Sequence, residues 1–219
     1  MTTYPGSPRL TKGGLVRVDP NTLAVQRIIT LQYNPDNLNR TLQIQGAGGE
    51  GGDRMEALRL TGPPIETIKL DAEIDATDQL EFPDQNQDTV KFGIYPHLAA
   101  LEMIVYPDSA QLQANNSLAQ IGTLEIAPTE ASLTLFVWSS QRVLPVRLTE
   151  FSVTEEAFDP ALNPLRAKVS LGMRVLSVND LPFSHRGSSL YMAYHQQKER
   201  LAALFNGGSL STLNIQRII

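Results

Sequence analysis

Between Arg166 and Val175 the chain alternates without a break. Ala167, Val169, Leu171, Met173 and Val175 are small or apolar, and Arg166, Lys168, Ser170, Gly172 and Arg174 lie between them. A period of two marks a β-strand with one dry face and one wet face. The same signature recurs where Ile68, Leu70, Ala72 and Ile74 interleave with Lys69, Asp71, Glu73 and Asp75, the clearest amphipathic strand in the sequence. From Leu133 to Val178 the pattern reads as a run of strands with hardly a helical turn between them. Within it Phe136 and Trp138 share one side of a strand, while Leu133, Leu135 and Val137 share the other. A strand apolar on both faces is expected to be buried. Nearer the amino end, Val25 to Leu31 reads as a buried strand and Arg40 to Ile44 as a shorter one.

Prolines and glycines punctuate these runs. Asn34-Pro35-Asp36 is turn chemistry, because proline fixes φ and the two polar side chains satisfy nearby backbone groups. Asp159-Pro160 and Asn163-Pro164 bracket a loop or hairpin tip, since the residue before each proline is pushed out of the helical region. Pro96 suits a first helical position and Pro107 forbids continuation, so Leu98, Leu101, Ile104 and Val105 predict one core-facing helix. Residues 108–120 read as a polar connection, with strands resuming near Ile121. After Pro182 the spacing of Leu190, Tyr194, Leu201, Leu204 and Phe205 predicts an amphipathic helix, capped by Ser188 or Ser189 and ended by Gly207-Gly208. The expected organisation is a loose arm over residues 1–14, a β domain over 15–182, a helical extension over 183–206 and a short tail over 207–219. The fold class is mainly β, with one internal helix and one carboxy-terminal amphipathic helix.

Composition narrows the function. Of 219 residues, 42% are hydrophobic and 19% charged, as in an ordinary globular protein. There is no cysteine, which excludes disulfides, thiolate metal sites and a cysteine nucleophile. The amino terminus has neither a basic start nor an apolar stretch, and no apolar run approaches the ~20 residues that span a bilayer. A cytoplasmic protein without membrane insertion is expected. The net charge of −5 argues against a nucleic-acid partner. Glu66, Asp71, Glu73, Asp75, Asp78, Glu81, Asp84 and Asp88 crowd one stretch with Lys69 the only base among them, predicting a localised acidic surface.

None of this resolves into catalytic chemistry. The glycine-rich run from Gly46 to Asp53 lacks the Gly-Lys-Ser/Thr ending of a phosphate loop and is expected to be a mobile loop. His97, His185 and His195 share no ligand spacing, and there is no Gly-x-Ser-x-Gly elbow. Asp71, Glu73 and Asp75 fall at alternate positions, so their carboxylates point to one side about 7 Å apart. A solvated strand face explains them better than a cation site, which would add glycine and folded backbone ligands. A non-enzymatic protein without cofactor or metal is expected.

Four stretches in order resemble the tube-adaptor proteins of contractile injection systems, the phage-tail-like particles of bacteria. They are "LQYNPDNLNR" (31–40), "LTGPPIETIKLDAEIDATDQLE" (60–81), "YPHLAALEMIVYP" (95–107) and the strand run 133–178, which contains "LFVWSSQRVLPVRLTEFSVTEEAFDPALNPLRAKVSL". The resemblance implies a tail-tube-like fold, two β-sheets packed as a small barrel with a helix beside it. It implies six copies in a ring around a channel, seated between the spike hub with its baseplate and the inner tube protein, and templating tube growth. Asp71, Glu73 and Asp75 are then candidate interface residues, lining the channel or an inter-ring surface or facing outward to sheath or baseplate. Tyr194 and Leu201 are candidates on the carboxy-terminal helix, the expected contact with the spike end. Many adaptors of this kind continue into a LysM-type module, for which the residues after Phe205 are too few. Two alternatives stay open: a repeating inner-tube subunit, and a small β-barrel ligand-binding module.

Overall fold

The computed structural model describes residues 10–46, 59–120 and 131–217. Seven strands form one antiparallel sheet: β1 (Gly14–Val18), β2 (Val25–Thr30), β3 (Asn39–Gln43), β4 (Ile65–Asp75), β5 (Leu133–Ser139), β6 (Arg142–Phe158) and β7 (Pro164–Val175). Their order across the sheet is β2-β1-β5-β6-β7-β4-β3. The fold is mainly β, as the alternation predicts.

The two strongest alternating segments lie side by side, between β6 and the edge strand β3. β4 and β7 pair from Thr67↔Arg174 to Asp75↔Arg166, so the dry faces of both strands coincide. Ile68, Ala167, Val169 and Met173 are wholly buried there. The sheet curls so that β1 and β2 contribute to the same core: Leu15, Ile29 and Leu31 join Leu70, Ile74, Phe136, Leu144 and Val146 in one cluster. Two strands next to each other in sequence, β2 and β3, thus sit at opposite ends of the sheet order, and the loop between them crosses the seam.

The curl is fastened by a side chain. The Gln32 amide donates to the Asp75 carbonyl at 2.7 Å and accepts from the Asp75 N–H at 2.9 Å. One carboxamide therefore imitates a ladder residue and closes the end of β2 onto the end of β4. Asn34 adds to the fastening by accepting from Gly13 N–H and donating to the Thr11 carbonyl.

Short helices fill the crossing from β4 to β5: α1 (Thr77–Leu80), α2 (Gln87–Phe92), α3 (Tyr95–Glu102) and α4 (Ser109–Gln120), with a 3-10 turn at Pro83–Gln85. α3 is the helix expected between Pro96 and Pro107 and buries Leu98 and Leu101 in the main core, but it ends at Glu102, so Ile104 and Val105 lie beyond it and Val105 is exposed. Gly93 has φ +58 and passes so close to the β6–β7 hairpin that a Cβ would sit 2.2 Å from the Pro164 carbonyl oxygen. That glycine lets Ile94 N–H bond the same carbonyl at 2.9 Å, docking α3 under the hairpin. α5 (Arg186–Ala203) packs Tyr191 and Tyr194 into the core. A smaller cluster of Val18, Leu133 and Leu135 lies on the other side of β1 and β5, where Leu190 of α5 packs against it.

Several expectations are corrected. Residues 108–120 are not an irregular connection: an uncharged helix occupies Ser109–Gln120, and none of its residues is buried. β2 is an edge strand in which only Ile29 is buried, while Val25 and Ile28 face solvent, because β1 covers one edge and no described element covers its outer face. His185, not a serine, caps α5 by accepting from Gly187 N–H, and Ser188 is buried donating to the Leu181 carbonyl. Phe205, placed in the apolar stripe of α5 by spacing, lies past the helix end and is 80% exposed. Residues 47–53 of the glycine-rich run, and the strand start expected near Ile121, fall outside the described residues.

Candidate interface surfaces

Asp71, Glu73 and Asp75 do share one face of β4, opposite the buried Leu70, Ala72 and Ile74. Their surroundings differ. Asp75 is half-buried and receives Arg166 at 2.7 Å together with the side chain and backbone N–H of Thr77. Partial burial alone would raise the Asp75 carboxyl, but the Thr77 hydrogen bonds and the Arg166 guanidinium outweigh it and hold it below its ordinary value. Asp71 is exposed and accepts from the Ser170 hydroxyl at 2.6 Å. Glu73 is exposed opposite Lys168 of β7, whose ammonium lies 3.6 Å from Glu156. Lys69, the one base of the acidic stretch, is drawn to Glu150 of β6 at 2.6 Å.

Glu66 does not belong with this surface. It occupies the buried face of β4, one turn of the pleat before Ile68, and is 3% exposed. Arg40 of β3 holds it through Nε at 2.8 Å and Nη2 at 2.6 Å, and Lys198 of α5 lies 3.6 Å from its other oxygen. The Tyr194 hydroxyl accepts from Arg40 at 3.2 Å, and the Lys198 ammonium sits 4.4 Å over the Tyr194 ring. Burial, and after it the Glu66 carboxylate, push the Tyr194 hydroxyl above its ordinary value. Tyr194 is thus tied into the interior of the protomer, joining α5 to β3 and β4. Leu201 is 48% exposed, near Leu204 and Phe205 at the open end of α5. The structure brings Asp71, Glu73 and Asp75 together and leaves Tyr194 and Leu201 on a separate element.

Two strand edges were not foreseen. β5 pairs with β6 only as far as Val146, yet β6 runs on to Phe158. Ser152, Thr154 and Glu156 sit opposite Ser170, Lys168 and Arg166 of β7. Ala76 N–H donates to the Leu165 carbonyl, so by alternation Ala167, Val169 and Leu171 exchange hydrogen bonds with β4, and the β7 residues between them turn their backbone groups to β6. Phe151, Val153 and Glu155 therefore turn their N–H and C=O groups away from β7, where no described strand pairs with them. The second edge is on β4, where β3 reaches only to Lys69. Strand length against partner length is the signal that would have found both, and it is invisible until pairing is known.

Among the described residues no group of histidine, aspartate and glutamate is arranged to hold a metal ion, and no helix is long and apolar enough to cross a membrane.

No protein-family model matches the chain, and no curated protein matches it. Among solved structures, a chain from the tail of an empty GTA particle refined with C6 symmetry is similar at 8% identity and a TM-score of 0.27, covering 74% of this chain and 90% of that one. A chain from the six-fold symmetrised baseplate of the anti-feeding prophage is similar at 13% identity and a TM-score of 0.24, covering 78% of this chain and 94% of that one.

Proposed function

We propose that this chain is a structural, non-enzymatic ring component of a contractile injection system, an adaptor or initiator that joins the spike hub and baseplate to the inner tube. The resemblance of four ordered sequence stretches supports the family, and the open edge of β6 is the structural observation that carries the role. A strand of 17 residues whose far half is paired on one side presents backbone donors and acceptors that a neighbouring copy can complete. Heterologous pairing of this kind generates a closed ring when the rotation closes. The resemblance implies six copies in that ring. The exposed carboxy-terminal end of α5, with Leu201, Leu204 and Phe205, supports a contact beyond the ring and favours the adaptor over a repeating tube subunit. Assembly takes place in the cytoplasm in this reading.

Native mass spectrometry and electron microscopy of the purified protein, alone and with its spike and tube neighbours, test the proposal. A single six-fold ring at the junction of spike and tube is the expected result. Long stacked tubes of this chain alone would make it the repeating subunit, and a monomer indifferent to both neighbours would overturn the ring reading.

A further inference from the structure

Along the seam, residues 32–39 run antiparallel to β4 and touch it at both ends. Gln32 binds the backbone of Asp75, and Asn39 pairs with Lys69. Between these two points the loop stands off, and Pro35 within it has no N–H to offer a ladder. A groove of about 560 Å³ lies beside this seam, walled by the loop, by Lys69, Asp71 and Glu73 of β4, and by the polar face of the next two strands at Lys168, Ser170 and Glu150.

The direction of the β4 backbone groups in this gap follows from two hydrogen bonds. Ala76 N–H donates to Leu165 across the β7 side, whereas Asp75 N–H and C=O both face the seam and bind Gln32. In an antiparallel ladder these orientations alternate. Asp71 and Glu73 therefore also aim both backbone groups into the seam between β4 and the loop, and no described residue pairs with them there. About 20 Å of strand separates Lys69 from Asp75, which admits an inserted segment of four or five extended residues.

Charge sets the chemistry of that segment. Asp36, Asp71, Glu73 and Glu150 line the groove against Lys69 and Lys168. Both ammonium groups are already taken, Lys69 by Glu150 at 2.6 Å and Lys168 by Glu156 at 3.6 Å. A strand laid beside β4 would place its own alternate side chains directly across from Asp71 and Glu73, where opposite charges attract and like charges repel.

We propose that the gap between Gln32 and Asn39 is a docking site for an extended segment of a partner protein with lysine or arginine at alternate positions, bound as an added strand on β4 between Lys69 and Asp75. This mode takes its affinity from main-chain hydrogen bonds and its selectivity from alternate side chains. The site lies away from the open edge of β6, so a substitution on that edge tests ring formation without touching the site.

The test uses the full chain and three capped eight-residue peptides: alternating lysine and valine, alternating glutamate and valine, and lysine and valine with the lysines contiguous. Binding is followed by fluorescence anisotropy, and contacts by backbone amide shifts in the Glu155→Pro variant, whose substitution lies outside the groove and targets the β6 edge. The expected result is saturable binding of the alternating basic peptide, shifts at Asp71 and Glu73 amides, and at least a tenfold loss on Glu73→Pro, which removes one donor from the seam. Asp71→Asn with Glu73→Gln should abolish the preference over the acidic peptide while the fold, followed by circular dichroism, is kept. Equal binding of all three peptides, or binding untouched by Glu73→Pro, would overturn the proposal. So would concentration-dependent shifts of the same two amides without peptide, which would make a second copy the occupant.

Discussion

At the residue scale, Asp75 and Gln32 show how much of this fold rests on single polar groups. The Asp75 carboxyl titrates lower in the folded protein than in the unfolded chain. Its contribution is thus fully present above the unfolded value of about 3.9 and is lost as pH falls through the lower folded value. Asp75→Asn should be less stable than the wild type at pH 7, and the gap should narrow as denaturation is repeated toward pH 3. A constant gap across that range would show that the ionised form is not what the fold favours. Gln32→Ala leaves the Asp75 N–H and C=O to find water, and loss of two such bonds should cost about 1–2 kcal/mol. Urea denaturation measures the loss, and Gln32→Glu should fare worse than a neutral isostere because it cannot donate to the carbonyl. Neither role was legible in the sequence. A glutamine has no motif, and its partner lies 43 residues away.

At the element scale the strands were legible and their company was not. β4 and β7 announce themselves because each has one wet and one dry face, and the alternation survives in the burial of Ile68, Leu70, Val169 and Leu171. α3 was readable from the prolines around it. α4 was missed because Ser, Gln and Asn dominate it and its two leucines, Leu112 and Leu118, are exposed, so no apolar stripe exists to detect. The apolar residues of β2 suggested burial, yet hydrophobicity says nothing about whether a covering layer exists. Glu66 misled for the opposite reason. It reads as one more carboxylate in an acidic run, and only the packing of α5 against β3 and β4 makes it internal. Removing one partner of a buried ion pair costs about 3–5 kcal/mol, and the side chains of Arg40 and Lys198 retain enough solvent to reduce this to about 2 kcal/mol. Glu66→Ala should therefore destabilise by that amount, with hydrogen exchange rising first in the second half of α5. Exchange rising evenly over the sheet would show that Glu66 does not anchor the helix.

At the scale of the whole molecule, the prediction concerns assembly. Glu155 turns its N–H to the open side of β6, so Glu155→Pro removes a donor that no described residue of the protomer uses. The variant should keep its monomer stability within about 0.5 kcal/mol of a surface substitution and lose ring formation in native mass spectrometry. Thr154→Pro removes a donor that faces β7 and should instead unfold the hairpin. If Glu155→Pro still forms rings, the β6 edge is not the contact.

The half-paired β6 also bears on how such an assembly would count its copies. An open arc of protomers always leaves one unsatisfied strand edge at its start and one at its end, whatever its length. Each added copy gains one contact and surrenders its freedom to diffuse, but the final closure gains a contact while surrendering almost none. Incomplete arcs therefore stay scarce, and the population divides between free protomers and finished circles. For a ring closed through the β6 edge, a sharp concentration threshold is the consequence.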